Sequence, residues 1–264
     1  NIVKFYLKRA SLIIAPTKRI AQVVREYGIN RETELLPTGI PADFSNFNKV
    51  QNKRIKNALF KKYPFLANKK ILLYVGRIVK EKNLSFLYNV LEKIKKTNQN
   101  TALVFVGGGP YLEELKELAI KRNLEKSVAF TGYAAREDLI YFYKMSSIFV
   151  FPSLTETQGL VTIEAMTAGI PVVAIGEMGT VDVMQGDNGG FMVSNNVDDF
   201  TDKVRLLLNN KKLYNSKTAE AIEWAKKWSI ESLTPKLIDY YAKAIENTKK
   251  SKFVFNIKNK NLKA

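Results

Sequence analysis

Neither cysteine nor histidine occurs anywhere in the 264 residues. Without cysteine there is no disulfide and no thiolate metal site, and a reducing cytosol suits the chain. Without histidine the commonest general base, the Ser-His-Asp triad and most zinc sites fall away together. Long apolar runs are missing too. Ile148–Pro152 and Ile170–Ile175 fall far short of the ~20 residues that span a bilayer, and no signal-peptide pattern shows. Acid is scarce beside base: 25 Asp and Glu stand against 42 Lys and Arg, a net charge of +17.

That charge favours anionic partners, whether phosphate, nucleic acid or an acidic membrane surface. A lysine-rich coding bias would produce it as well, and composition does not separate the two. A nucleic-acid binder calls for a contiguous basic face with interleaved aromatics. Here the lysines are spread along most helices, so no nucleic-acid partner is expected. The apolar share of 46% and charged share of 25% fit a soluble globular chain. It opens on Asn1 rather than methionine, in what reads as the middle of a domain, so an excised fragment is expected.

From residue 71 short apolar runs alternate with helical periodicity. Strands are expected at 71–76, 101–106, 128–130, 148–151, 172–175 and, shorter, 189–193. Each is a brief β-rich run ended by glycine or proline. Helices are expected between them: one capped by Asn83 and running to about Lys96, then 111–123, 136–145 and 159–168, the last closed by Gly169. Three more follow at 197–208, 215–227 and 230–245. Repeated βα units imply a Rossmann-like parallel sheet with helices on both faces. Before it, 11–15, 18–27 and 34–36 read as strand, helix and strand. Residues 41–70 read as a basic linker with a short helix. The tail from Lys249 is basic, with one apolar cluster at Phe253-Val254-Phe255 and Ile257.

Ligands in such sheets sit beyond the carboxyl ends of the strands, and the unusual residues lie there. Thr155-Glu156-Thr157-Gln158-Gly159-Leu160-Val161 follows a strand and opens a helix. A helix start offers unpaired amides and a positive dipole end, which suit phosphate. Gly159 lets a ligand approach the backbone. Glu156 precedes that turn, and Glu164 falls in an otherwise apolar helical stretch where an unpaired carboxylate is costly. Two carboxylates flanking an anion-binding helix start suit a sugar joined to a diphosphate, because carboxylates accept from vicinal hydroxyls. The plainer alternative has Glu156 capping the helix and Glu164 paired with a lysine. Gly76-Arg77 and Lys82 end the first strand of the sheet at the same edge. They supply a guanidinium fork and a point charge for a diphosphate, or else they are ordinary solvated cations. Gly107-Gly108-Gly109-Pro110 fits a phosphate loop or a simple turn. Thr131-Gly132-Tyr133-Ala134 could present backbone groups to a nucleobase, as many strand ends could.

Taken together these segments resemble glycosyltransferase family 4, the retaining GT-B enzymes. The resemblance rests on Glu156 and Glu164 with seven residues between them, on Gly76-Arg77 with Lys82, on Gly107–Pro110, and on Pro37-Thr38-Gly39-Ile40 at the hinge, in the family's order. It implies the C-terminal, nucleotide-sugar-binding domain of a GT-B enzyme. Residues 1–40 are then the end of the acceptor domain, 41–228 the donor domain, 229–248 the helix that crosses back, and 249–264 a basic tail. By the same resemblance Glu156, Arg77 and Lys82 are catalytic. Gly76, Arg77, Lys82, Gly108, Tyr133, Ala134, Glu156, Gly159, Leu160, Val161 and Glu164 bind the donor, with Glu164 on the ribose hydroxyls and Tyr133 and Ala134 beside the base. The donor is a UDP-hexose such as UDP-glucose, with no cofactor and no metal. The variant Thr155-Glu156-Thr157-Gln158-Gly159 resembles diacylglycerol glucosyltransferases. It implies a lipid acceptor, an anionic membrane surface as partner, and a cytoplasmic enzyme peripheral to the inner face of the plasma membrane. The family's histidine and glycine-rich acceptor loop are absent, so the chain alone is expected to bind donor and turn over poorly. Two alternatives stand beside this: a non-catalytic nucleotide-sugar-binding module, and a transferase acting on a polysaccharide or other glycan.

Overall fold

The computed structural model describes residues 2–41, 44 and 46–261, with side chains as far as Lys249. The apolar cluster at 253–257 lies outside the described side chains. Two compact units result: residues 1–39 with 228–264, and residues 40–227.

The larger unit is built on one six-stranded sheet. Its strands are β3 (Lys70–Val75), β4 (Thr101–Val106), β5 (Val128–Phe130), β6 (Ile148–Phe151), β7 (Val172–Ile175) and β8 (Gly190–Val193); β1 (Ile13–Ala15) and β2 (Thr33–Leu35) belong to the smaller unit. All pair in parallel, in the order β5-β4-β3-β6-β7-β8. Residues of β4, β6 and β7 are buried without interruption. That is the mark of a parallel sheet covered on both faces, and it explains why these strands read as apolar runs rather than as alternation. The chain winds outward from β3 in one direction and from β6 in the other. The strand order therefore reverses between β3 and β6, where a crevice must open at the carboxyl ends.

The helices are α3 (Lys49–Lys62), α4 (Phe86–Lys95), α5 (Leu112–Lys121), α6 (Arg136–Met145), α7 (Leu160–Thr167), α8 (Gly179–Met184), α9 (Val197–Asn209) and α10 (Lys211–Lys226). Local chemistry sets their ends. The Asn48 side chain caps α3 by accepting from Val50 and Gln51, and Asn196 caps α9 by accepting from Asp198 and Asp199. At the end of α7, Gly169 takes φ 76°; its N–H bonds Met166 O and the Ile170 N–H bonds Ala165 O. That pairing is a Schellman stop, as the glycine suggested.

Several expectations change in this unit. Asn83 does not cap α4. It sits at φ 56°, ψ 35°, closing a 3₁₀ turn at Lys80–Lys82, and α4 starts at Phe86. Asparagine tolerates that left-handed conformation at little cost, so it ends the tight turn instead. The basic stretch 41–70 holds a full 14-residue helix, α3. The short helix α8 was not expected at all.

The smaller unit comprises α1 (Ile2–Leu7), β1 (Ile13–Ala15), α2 (Lys18–Glu26), β2 (Thr33–Leu35) and α11 (Ile230–Asn261). β1 and β2 pair in parallel. Lys243 of α11 binds Glu32 at 2.6 Å and Glu34 at 2.5 Å, and the Tyr240 hydroxyl donates to Leu35 O. These bonds tie α11 to β2. The helix runs on to Asn261 rather than stopping near residue 245. No helix among the described residues is long and apolar enough to cross a membrane.

Candidate functional site

A cleft of about 360 Å³ opens where the strand order reverses, lined by Gly76, Arg77 and Lys82 from the β3 side and Glu156 to Val161 from the β6 side. Segments more than seventy residues apart in sequence thus face each other. β3 ends at Val75, and Gly76 follows at φ 151°, where a Cβ would lie 2.8 Å from the Tyr74 hydroxyl. That hydroxyl donates to Arg77 O. Tyr74 is fully buried, so this bond pins the turn from below. Burial also pushes its phenol far above the usual range, and it stays a donor.

Lys82 projects from the 3₁₀ turn. Its Nζ lies 2.6 Å from Glu156 Oε2, with side chains 10% and 23% exposed. The lysine's stem is buried and its ammonium reaches the cleft. Glu156 is thus an ion-pair partner rather than a helix cap. On the Glu156 side the backbone is clamped, because the Gly179 N–H at the start of α8 donates to Glu156 O at 2.8 Å. A Cβ on Gly179 would stand 2.2 Å from Thr157 O, so only glycine permits that approach. Gly159 follows at φ 77° as the first residue of the α7 cap, and no side chain caps the helix. The first amides of α7, at Leu160 and Val161, therefore present positive partial charge to the cleft. Two cations and a bare helix start are an arrangement suited to an anion, with one carboxylate beside it.

Glu164 lies deeper, one turn into α7 and only 7% exposed. Burial raises its pKa, while the Tyr143 hydroxyl bond and the charge of Arg136 oppose that shift. The Tyr143 O–H donates to Glu164 Oε2 at 3.0 Å. The expected lysine partner is not there: among the described residues Glu164 forms no ion pair, and a phenol takes that place.

Of the expected donor-binding residues, Glu164, Gly108, Tyr133 and Ala134 do not line this cleft; Glu164 lies beneath it, behind Val161. The Gly107 N–H donates to Gly132 O at 2.8 Å, which joins the β4 and β5 ends. The Tyr133 ring lies over Gly108, where a Cβ would come within 2.6 Å of it. Tyr133, 81% exposed, and Ala134 border a separate hollow of about 300 Å³ against α3. A larger hollow, about 570 Å³, lies between Phe44, Asn46, Phe47 and Asn48 on one side and the start of α6 on the other, and holds none of the strand-end residues. Sequence reasoning missed Tyr74, Phe151 and Thr157 in the cleft and Tyr143 beneath it. Tyr74 had a legible signal: it is two residues before the strand-end glycine on a buried strand. Among the described residues no group of three or more His, Cys, Asp or Glu could hold a metal ion.

Comparison with known proteins fits this geometry. The chain is 31% identical over 175 residues to alpha-monoglucosyldiacylglycerol synthase of Streptococcus pneumoniae, covering 66% of this chain and 40% of that protein. It is 29% identical over 258 residues to sulfoquinovosyl transferase SQD2 of Arabidopsis thaliana, covering 96% and 48%. The chain thus spans less than half the length of these two relatives. Among solved structures, a glycosyltransferase from Rickettsia africae superposes with a TM-score of 0.79 at 21% identity, over 94% of this chain and 68% of that one. Anabaena Alr3699/HepE in complex with UDP-glucose gives 0.77 at 18% identity, over 88% and 64%. At these identities the structural likeness shows the fold alone, a Rossmann-like half of the GT-B type. The family Glycosyl transferases group 1 matches residues 55–227, about two thirds of the chain, and the chain belongs to that family.

Proposed function

We propose that this chain is the donor-binding portion of a retaining hexosyltransferase that takes glucose from UDP-glucose. One observation carries the reading: Lys82 and Glu156, 74 residues apart, meet at 2.6 Å beside the uncapped start of α7. Arg77, Lys82 and the amides of Gly159, Leu160 and Val161 receive the diphosphate. Glu156 accepts from hydroxyls of the sugar and Glu164 from those of the ribose. As the bond from the anomeric carbon to the diphosphate oxygen breaks, its electron pair goes to that oxygen. The two cations and the helix start stabilise the growing charge as preorganised groups that need not reorient when the bond breaks. The acceptor hydroxyl forms the new bond on the same face, and the leaving phosphate takes its proton, so configuration is retained. No step uses a metal, and transfer persists in excess chelator. The base extends out of the cleft towards the hollow beside α3, where Ala134 and the Tyr133 ring over Gly108 border it.

The acceptor is a diacylglycerol-type lipid in an anionic membrane. α3 suits that surface: it carries Lys49, Lys53, Arg54, Lys56, Lys61 and Lys62, with no acid. None of the six forms an ion pair among the described residues, and Val50 stands 79% exposed beside them. Near anionic lipid each such cation contributes about 1 kcal/mol.

Calorimetry tests the site. UDP and UDP-glucose bind in the micromolar to millimolar range, and Arg77→Ala and Glu164→Ala each weaken both. Unchanged affinity in both variants would falsify the assignment. Vesicle flotation tests the surface: binding rises with anionic lipid, falls with salt, and drops in Lys53→Ser/Arg54→Ser/Lys61→Ser. Equal binding to neutral vesicles overturns the lipid-surface part.

A further inference from the structure

We infer that Tyr143 is a positioning residue, fixing the Glu164 carboxylate so that its free oxygen faces the ribose of the donor. The inference rests on the nucleotide-sugar reading above. Tyr143 lies near the end of α6 and is fully buried. Its ring packs edge-on against Phe44 at 5.9 Å and tilted against Phe149 at 5.7 Å, so the phenol has one orientation. The hydroxyl reaches Glu164 Oε2 at 3.0 Å and Val161 O at 3.3 Å. Val161 lines the cleft. Tyr143 therefore touches α7 both at the anion site and one turn below it.

A purely structural tyrosine would be content with the Val161 carbonyl, which satisfies one buried hydroxyl. The carboxylate beside it is what needs explaining. Glu164 is buried with no ion-pair partner among the described residues, an arrangement that costs stability. One oxygen, Oε2, is bonded to the phenol. The other, Oε1, accepts no hydrogen bond among the described residues and is not sealed from solvent either. An ionised carboxylate has room for about four acceptor contacts, so most of its capacity is unspent. A buried carboxylate pinned at one oxygen and open at the other is organised to accept from a donor that arrives later. A vicinal diol is such a donor, and the ribose of a nucleoside diphosphate carries one. The phenol stays protonated, since burial and the neighbouring Glu164 raise its pKa well above the usual range. Tyr143 thus remains a donor.

The test is calorimetry of UDP against 2′,3′-dideoxy-UDP, which keeps the base and the diphosphate and lacks the diol. The wild type prefers UDP, and Glu164→Gln loses most of that preference. Tyr143→Phe keeps the ring packing and removes only the hydroxyl. It weakens UDP by about three- to tenfold, the size of one such hydrogen bond, and leaves dideoxy-UDP within twofold. In Tyr143→Phe/Glu164→Gln the tyrosine change adds nothing further, because the two act through one group. Equal weakening of both ligands in Tyr143→Phe, or full retention of the preference, overturns the positioning role while leaving the site intact. A wild type that binds neither ligand, or binds both equally, overturns the ribose assignment of Glu164 and this inference with it. If Tyr143→Phe melts before titration, the ligand preference of Phe44→Leu is measured instead. Phe44 packs on the ring, and an unchanged preference there overturns the role.

Discussion

The loop that carries Glu156 and the helical turn that carries Glu164 belong to one segment and solve the same electrostatic problem in opposite ways. Glu156 sits before a left-handed glycine, partly exposed, with an ammonium at 2.6 Å. Glu164 is buried in α7 with one oxygen against a phenol, and Arg136 acts only through its charge. In the loop the charge is neutralised before any ligand arrives. In the helix it is left largely uncompensated, with acceptor capacity to spare. Carboxylates placed in unlike surroundings take unlike roles: the paired one suits the reacting sugar, and the buried one suits a fixed hydroxyl contact away from the bond that breaks.

The sharpest way to break that contrast is to neutralise each carboxylate in turn. Glu156→Gln in the full-length gene product is expected to lower the transfer rate by about 10²–10³-fold, the scale for one transition-state contact. UDP affinity should stay within a few-fold, because UDP has no hexose. Glu164→Gln is expected to weaken UDP and UDP-glucose equally, by about tenfold, with a smaller effect on the rate. Initial rates and calorimetry on both variants decide it. Similar patterns from the two substitutions would mean that the two sites do not differ in function.

A smaller effect separates the clamp from the charges. Gly179 holds the Glu156 loop by its N–H, and a Cβ there would meet Thr157 backbone. Gly179→Ala is expected to cost about 1–3 kcal/mol by overpacking and to weaken UDP-glucose more than UDP. Denaturant melts and paired titrations measure both. Wild-type stability would show that the loop yields freely and that α8 does not set the position of Glu156.

These contrasts also mark what the sequence made legible. The strands 128–130, 148–151 and 172–175 and the helix 136–145 coincide with the observed elements. Each is an apolar run or amphipathic turn bounded by glycine, proline or a break in pattern, so local signals suffice. α8 left no such signal: it is six residues long and depends on its contacts with the Glu156 loop. Gly76, Arg77, Lys82 and Glu156 were legible as residues out of place at strand ends, where the reversal of strand order must open a crevice. Tyr143 was not, because Ile140, Tyr141 and Phe142 beside it make an aromatic there read as core. Only the fold reveals that its hydroxyl points at a carboxylate. Gly108, Tyr133 and Ala134 look like the other strand-end residues in sequence, yet beside the bridge from Gly107 to Gly132 Gly108 lies under the Tyr133 ring, and Tyr133 and Ala134 border a different hollow.

The smallest predicted effect is on stability, and its sign follows from the surroundings of Glu164. Burial raises this carboxyl above its ordinary value of 4.5, against the opposing pull of Tyr143 and Arg136. The folded protein therefore holds that proton more tightly than the unfolded chain. The associated stability is fully present below the unfolded value and is lost as pH rises through the folded one. Glutamine at 164 keeps an acceptor for the Tyr143 hydroxyl and carries no charge. Glu164→Gln is thus expected to melt higher than the wild type at pH 7.5, by about 2–4 °C for each kcal/mol of relieved desolvation. The gap should close as pH falls towards 4.5. Carboxylates whose pKa is lowered, such as Glu220 beside Lys217, shift both proteins alike and cancel in the difference. A melting-temperature gap that widens on acidification would mean that the folded state favours the charged form of Glu164, and the two carboxylates would then be alike after all.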